Sequence, residues 1–160
     1  MAIDRIDHAA VSAKPVIMTP QNRTRALNVV GEQVTVLVGG ATSGNFEIFH
    51  QDGPEGSGPP PHNHPWNEAF FVLAGQVIFG IEDSGDQVAT PGTFVFIPAG
   101  STHWFRFGPG GGQMLSMTPT PAISAAFAEA DRLISPTEPN LDLVVEIGAR
   151  HGLTWVLPAG

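Results

Sequence analysis

The sequence predicts an all-β protein, a small antiparallel barrel with short helices after it. Gly (19 residues) and Pro (15 residues) together exceed a fifth of the 160 residues, which favours short strands joined by many turns over a helical bundle. Hydrophobic residues make up 42% of the chain and charged residues only 14%, as in a domain that buries a core. The length suits one compact domain with flanking arms.

Eight short runs carry the prediction of a barrel. Apolar or alternating residues occur at 34–38, 45–50, 68–73, 76–81, 87–90, 93–97, 103–107 and 113–117. Short strands at such close spacing are typical of a barrel or jelly roll. Ala74-Gly75 predicts a hairpin turn between two of these runs, and the segment 108–112 predicts a flexible loop.

Two segments with helical spacing follow the barrel. Residues 124–134 and 141–149 each place apolar side chains near a period of 3.6, which predicts two short amphipathic helices on the outside of the barrel. We therefore divide the chain into an extended N-terminal arm at 1–32, a barrel at 33–118 and a helical tail at 119–160 packed on the barrel.

Charge and composition exclude several classes of partner. The formal net charge is -8 and Lys14 is the single lysine, which argues against nucleic acid or an anionic membrane. The absence of Cys excludes disulfides and thiolate ligands. The charged N-terminal residues do not resemble a signal peptide and no apolar run is long enough for a membrane span, so we expect a cytoplasmic protein.

Three histidines and one glutamate predict a metal site. His62 and His64 are two residues apart and point to the same face of a strand, and Glu68 keeps that parity if the strand continues. His103 begins another strand, after a tight turn. Neutral imidazoles with one carboxylate suit a single divalent transition metal, which leaves iron, manganese, nickel, copper, cobalt or zinc as candidates.

The residues around these ligands resemble the two motifs of the cupin family. The matching positions are Gly56-x5-His62-x-His64-x3-Glu68-x6-Gly75 for the first motif and Gly92-x5-Pro98-x-Gly100-x2-His103 for the second. The second motif lacks its last residue, Asn, where this chain has Phe107. The resemblance covers about residues 33–118. It implies a jelly-roll barrel of six to eight strands, often dimeric, whose metal is held by the three histidines and the glutamate.

Four further side chains are candidates for a substrate pocket. Phe70, Val72, Phe105 and Phe107 share strand parity with Glu68 or His103, and they could line an apolar cavity or simply form the barrel core. Arg106 alternates to the opposite face. A cavity without a basic anchor disfavours phosphorylated or dicarboxylate substrates and suits an aromatic molecule that chelates the metal.

The chain is also similar to the small single-domain cupins that resemble quercetin dioxygenase. That similarity implies that the carbonyl–hydroxyl pair of a flavonol binds the metal while Glu68 accepts the hydroxyl proton. Our leading hypothesis is a metal-dependent dioxygenase acting on an aromatic or enolisable small molecule. The alternatives are an oxygen-independent isomerase, decarboxylase or lyase, and a small-molecule-binding cupin without catalysis.

Some features admit more than one interpretation. His50 lies on one face of its strand and Glu47 on the other, so either could be core or pocket. Trp66, between the candidate ligands, could gate the entrance or simply pack. The apolar residues of the N-terminal arm, among them Val16 and Ile17, predict a homodimer in which the arm adds a strand to a partner barrel.

Overall fold

A computed structural model describes residues 14–119 and 122–156. Its elements are β1 (Leu27–Val29), β2 (Glu32–Val38), α1 (Gly40–Ser43), β3 (Phe46–Gly53), β4 (His62–Asn63), β5 (Glu68–Ile81), β6 (Gly85–Ala89), β7 (Phe94–Ile97), β8 (His103–Pro119), α2 (Ser124–Leu133), α3 (Leu141–Arg150) and β9 (Thr154–Trp155). Part of the N-terminal arm lies outside the described residues. Val16 and Ile17 lie within them and are exposed, in a segment without strand structure.

The strands form one antiparallel sheet with β8 at its centre. The order is β1-β2-β3-β8-β4-β9, and β5 pairs with β8 and also with β6 and β7. β3 pairs with the second half of β8, from Phe46 opposite Pro119 to Gly53 opposite Gly112. The sheet curls into a half-barrel, which confirms the prediction of an all-β jelly roll with short helices.

The predicted hairpin at Ala74-Gly75 is wrong, because β5 runs without a break through both residues. Gly75 adopts a φ of 67°, and the register between β5 and β8 shifts on either side of it. A glycine with positive φ therefore forms a bulge that bends one long strand instead of a turn that joins two.

The predicted flexible loop at 108–112 is also wrong, because this segment is the middle of β8. Gly112 pairs with Gly75 of β5 and with Gly53 of β3, so three strands meet where each has a glycine. Neighbouring backbone atoms leave no room for a side chain at Gly75 or Gly112, and the Phe107 ring fills the space beside Gly53, so glycines are required at this junction of strands.

Two hydrophobic clusters form the core. The cluster inside the barrel contains Phe70, Val72, Val77, Phe79, Ala89, Ile97, Phe105, Phe107 and Met114. The second cluster joins β2 and β3 to the helices and contains Val34, Phe49, Ile123, Ala126, Ala130, Ile134 and Ile147. Alternation along β3 sends Phe49 to this second cluster and leaves Phe46 exposed on the outer face.

Both predicted helices are present, at Ser124–Leu133 and Leu141–Arg150. They pack against the concave side of β2 and β3, whereas the sequence predicted them on the outside of the barrel. The reason is the open half-barrel, whose apolar side chains need cover; Phe127 of α2, for example, lies edge-on to Phe49 with ring centroids 5.1 Å apart.

A buried carboxylate anchors the start of α2. Glu47 of β3 accepts hydrogen bonds from the backbone N–H groups of Ile123 and Ser124, at 3.2 and 3.1 Å, and from the Ser124 hydroxyl. These are donors that the first turn of a helix leaves without an intrahelical partner. Glu47 therefore holds the helix on the sheet, and this accounts for its burial.

Within the two described ranges, no helix has the length and apolar character needed to cross a membrane. The division into arm, barrel and tail stays a prediction; β1 lies within the segment assigned to the arm.

Candidate metal centre

His62, His64 and His103 come together at the mouth of the half-barrel. His62 pairs directly with His103 across β4 and β8, and His64 follows β4 by one residue. One ring nitrogen from each imidazole lies within 4.8 Å of the other two, and all three residues are buried. The histidine part of the predicted ligand set therefore forms a compact group.

Backbone carbonyls fix which nitrogen of each ring faces the site. Each Nδ1 lies 2.8–2.9 Å from the carbonyl oxygen of a residue two positions away in the chain. The three carbonyls are those of Pro60, Trp66 and Ser101. A carbonyl oxygen can only accept, so each Nδ1 carries a proton, and it is Nε2 that faces the centre, where it would offer its lone pair to a metal.

Glu68 lies beside two of the three histidines. Its Oε2 lies 2.9 Å from Nε2 of His64 and 3.3 Å from Nε2 of His103. When neither Nε2 carries a proton, the carboxylate oxygen and the two imidazole lone pairs are all acceptors, and they repel one another unless a cation lies between them. Three nitrogens and one oxygen in this arrangement fit a divalent transition metal ion.

The protonation of the group also suits a metal. Burial lowers the pKa of the His62 imidazole to about 4, with a further contribution from His103, so the ring is neutral at pH 7. Burial raises the pKa of Glu68, but hydrogen bonds from His103 and His64, when their Nε2 atoms carry a proton, outweigh it and lower the pKa to about 2; a bound metal ion would take the place of those protons. Neutral imidazoles and an ionised carboxylate are the forms in which these groups bind metals.

The chain reaches this geometry differently from the strand-parity prediction. β4 ends at Asn63 and β5 begins at Glu68, so His64 and Glu68 lie on either side of a turn. The Pro98–Gly100 turn holds that segment, because the Gly100 N–H donates to the His64 carbonyl at 2.8 Å. Gly100 has a φ of 84°, as the tight turn requires.

A cavity of about 370 Å³ opens beside the candidate ligands. Its walls include His62, His64, Glu68 and Phe105 on the barrel side, with Phe127 and Ile147 among the apolar residues that the helices contribute. No Lys or Arg belongs to the part of the wall formed by described residues. Arg106 lies on the outer face, where it bonds Asp86 at 2.7 Å.

Comparison with known proteins agrees with this fold and site. The cupin domain family matches residues 49–115, which include all four candidate ligands. This match supports a cupin superfamily protein. It is 30% identical over 81 residues to quercetin 2,3-dioxygenase of Bacillus subtilis (strain 168), covering 49% of this chain and 24% of that protein. The cupin described here thus spans about a quarter of the length of that curated relative.

Solved structures show the same fold at low identity. An RmlC-like cupin from Shewanella frigidimarina has a TM-score of 0.60 at 17% identity, covering 70% of this chain and 96% of that chain. The polyketide cyclase RemF from Streptomyces resistomycificus has a TM-score of 0.59 at 23% identity, covering 66% of this chain and 80% of that chain. At these identities the likeness concerns the fold alone.

The four predicted pocket residues of this cupin differ in their contact with the cavity. All four belong to the cluster inside the barrel, and Phe105 also lines the cavity beside the histidines. Phe107, in place of the Asn of the cupin motif, fills space that Gly53 leaves open, since a Cβ on Gly53 would overlap the Phe107 ring. The substitution thus changes the core and leaves the ligands in place.

The other candidates of the sequence analysis have structural positions. The ring of Trp66 stacks on His64 with centroids 4.4 Å apart and planes 7° apart, so it packs against a candidate ligand. His50 lies on the face of β3 opposite Glu47 and Phe49, and it is not among the described residues that line the cavity.

Several cavity residues escaped the sequence analysis. Glu32, Gln51 and Trp155 all line the cavity, together with much of α2 and α3. Gln51 continues the alternation of Glu47 and Phe49 along β3, one residue beyond the run predicted at 45–50. Trp155 lies opposite His62 on β9, a pairing that local sequence does not encode.

Proposed function

We propose that this cupin binds one divalent transition metal through His62, His64, His103 and Glu68, and that it is a dioxygenase acting on an aromatic or enolisable, flavonol-like small molecule. The observation that carries the proposal is the convergence of three imidazole Nε2 atoms and one carboxylate oxygen beside an apolar cavity. The family assignment supports it, because cupins typically bind a metal through such residues.

A bound metal would supply Lewis acidity and open coordination positions for the oxygen atoms of a substrate and for dioxygen. The three backbone carbonyls hold the imidazoles in one tautomer and orientation, so the ligands need not reorganise. Glu68 is the carboxylate at the centre and would accept the proton of a substrate hydroxyl at Oε2. The apolar side chains of α2 and α3 limit water around the reacting groups.

The cavity supports the proposed substrate class. Its wall is largely apolar and its described residues include no Lys or Arg, so an uncharged aromatic molecule fits better than a phosphate or a dicarboxylate. The matched relative is named quercetin 2,3-dioxygenase, and a flavonol presents the carbonyl–hydroxyl pair that a metal chelates. The low coverage of that relative makes the substrate a proposal.

The test is metal loading under anaerobic conditions, followed by measurement of oxygen uptake with flavonols and β-diketones as probes. We expect uptake that depends on both metal and substrate, and a loss of at least about a hundredfold in kcat for Glu68→Gln. The matched control is Glu82→Gln in the exposed β5–β6 turn, which should retain activity. Absence of uptake with every metal refutes the dioxygenase.

Other outcomes of the same experiment identify the alternatives. Substrate consumption without oxygen uptake would indicate an isomerase, a decarboxylase or a lyase. Tight flavonol binding without turnover would indicate a binding protein. Elemental analysis of the chain purified without chelator identifies the metal.

We also propose that two copies associate through the outer face of the sheet. Phe46 of β3, Phe71 of β5, and Phe94 and Phe96 of β7 are exposed there on strands joined through β8, and Phe71 pairs directly with Phe94. Clustered exposed aromatic residues favour protein contact over hydration. Light scattering should give a dimer that Phe94→Ser disrupts; a dimer that depends instead on residues 1–25 would support the arm-exchange hypothesis.

A further inference from the structure

A second polar group faces the cavity that adjoins the metal centre. Glu32 at the start of β2 and Gln51 of β3 both line this cavity, and their residues are only 6% and 5% exposed. The Gln51 side-chain amide donates to Glu32 Oε2 at 3.1 Å. The two side chains form a pair, which we call the Glu32–Gln51 pair, on the concave face of the sheet.

The pair has unused hydrogen-bonding capacity. Gln51 Oε1 is buried and has no hydrogen-bond partner among the described residues. Buried polar atoms without partners are rare because burial removes their water without replacing it. Two apolar side chains would cover this part of the cavity without that cost, so the unpartnered acceptor of the pair calls for an explanation other than folding.

The pair is also uncharged. Burial raises the pKa of the Glu32 carboxyl to about 8, with the hydrogen bond from Gln51 acting in the opposite direction. Besides Glu32, the titratable groups that line the described cavity are His62, His64 and Glu68. The described wall contains no Lys or Arg that would stabilise an ionised Glu32. At neutral pH the pair therefore offers one hydroxyl donor and one amide acceptor without net charge.

We propose that the Glu32–Gln51 pair binds a hydroxyl or carbonyl group on the ligand of this cavity, a largely apolar and uncharged molecule. The assignment deepens the proposed function, since it rests on a ligand that lies in the cavity beside the metal centre. A hydroxyl would donate to Gln51 Oε1 and a carbonyl would accept from Glu32, so the pair selects among apolar molecules by their polar group.

Trp66 carries a second buried and unpartnered polar atom on the same wall, its Nε1. The Trp66 ring stacks on His64, so a substitution there would also disturb a candidate metal ligand. The test therefore uses the Glu32–Gln51 pair, which sits on different strands from the candidate ligands.

The experiment compares 2-naphthylmethanol with 2-methylnaphthalene as probes for the full chain. Both share one apolar skeleton and differ by one hydroxyl, and a neutral alcohol needs no metal for binding through the pair. Affinities are measured by titration of tryptophan fluorescence, with the chain as purified and again after metal loading. We expect the alcohol to bind about tenfold more tightly in both cases, as one or two hydrogen bonds to buried groups provide.

Variants locate the source of the preference. Gln51→Leu should abolish the preference, so that the two probes bind with about equal affinity, because it removes the acceptor Gln51 Oε1. The matched control is Gln113→Leu, since Gln113 also donates to a carboxylate, that of Asp52 at 3.0 Å, but lies outside this cavity. Glu32→Met provides a second variant of the pair, should Gln51→Leu fail to fold.

Equal affinities of the two probes for the unsubstituted chain overturn the proposal, as does a preference that survives in both Gln51→Leu and Glu32→Met. A third probe, 2-naphthylmethylamine, is a cation at neutral pH; if it binds more tightly than the alcohol, the pair is a cation site and the proposal is also overturned. A preference without oxygen uptake supports the pair and refutes the dioxygenase. Oxygen uptake without a preference for the alcohol supports the dioxygenase and refutes the role of the pair.

Discussion

Burial of Glu32 should make the stability of this cupin fall as the pH rises through neutrality. The pKa of the Glu32 carboxyl is raised by burial from its ordinary value of 4.5 to about 8. Below about pH 4.5 both the folded and the unfolded chain hold this proton, so the group has no effect. Above that pH the unfolded chain releases the proton while the folded chain keeps it, and release then favours unfolding until the folded carboxyl also ionises near pH 8.

The size of the effect follows from the shift. A change of one pKa unit corresponds to about 1.4 kcal/mol, so the whole shift corresponds to about 5 kcal/mol of unfolding free energy. Between about pH 5.5 and about pH 7.5 most of the difference in bound protons is present, and the expected loss is about 2–3 kcal/mol. Glu32→Gln keeps the shape and stays neutral, so it should lack this loss.

Urea unfolding followed by tryptophan fluorescence measures both chains across this range, with chelator present so that metal binding does not contribute. The difference in unfolding free energy between Glu32→Gln and the unsubstituted chain should grow with pH by the stated amount. Glu82→Gln, in the exposed β5–β6 turn, removes the same charge where water already solvates it and should show no such growth. A pH-independent difference for Glu32→Gln would refute a neutral, buried carboxyl.

Three other substitutions test the fold that holds the site, each by the change in unfolding free energy. Glu47→Ala removes the acceptor of three donors at the start of α2 and should cost about 2–3 kcal/mol, whereas a cost below about 0.5 kcal/mol would contradict the anchoring role. Gly75→Ala places a Cβ against the Gly111 carbonyl at positive φ and should cost at least about 2 kcal/mol; a neutral result would contradict the bulge. Phe107→Asn restores the motif residue, yet it should cost about 3–5 kcal/mol because Phe107 fills the core.

The candidate metal centre was predictable because its residues follow local spacing and turn chemistry. His62, His64, Glu68 and His103 were chosen from two motifs, and the three histidines cluster in the structure with Glu68 at hydrogen-bond distance. The parity argument for Glu68 assumed one strand where the chain has a turn. The spacing of residues in the sequence was therefore sufficient to identify the four candidate ligands, but it did not predict the backbone conformation between His64 and Glu68.

The predicted strand boundaries were wrong at positions where a glycine can have either of two structural roles. A glycine with positive φ serves a hairpin turn or a bulge equally well, and Gly75 carries no local mark of which it forms. At β1 the opposite occurred, because a hairpin is present where none was predicted. The turn between β1 and β2 passes through Val30, which has a φ of 52°. A β-branched residue rarely adopts that conformation, so Val30 does not indicate a turn, although Gly31 beside it also has a positive φ.

The wall of the cavity was the least predictable part, because it is built from residues distant in the chain. The same alternation that buries Phe49 under the helices also directs Gln51 into the cavity, but a sequence pattern cannot show that α2 and α3 close the concave side of a half-barrel. The same face of α2 and α3 then has two roles. They cover the apolar residues of β2 and β3, and they enclose a largely apolar cavity that adjoins both the candidate metal centre and the Glu32–Gln51 pair. A substitution in α2 or α3 that opens this wall should therefore weaken binding of both naphthyl probes without changing the preference for the alcohol.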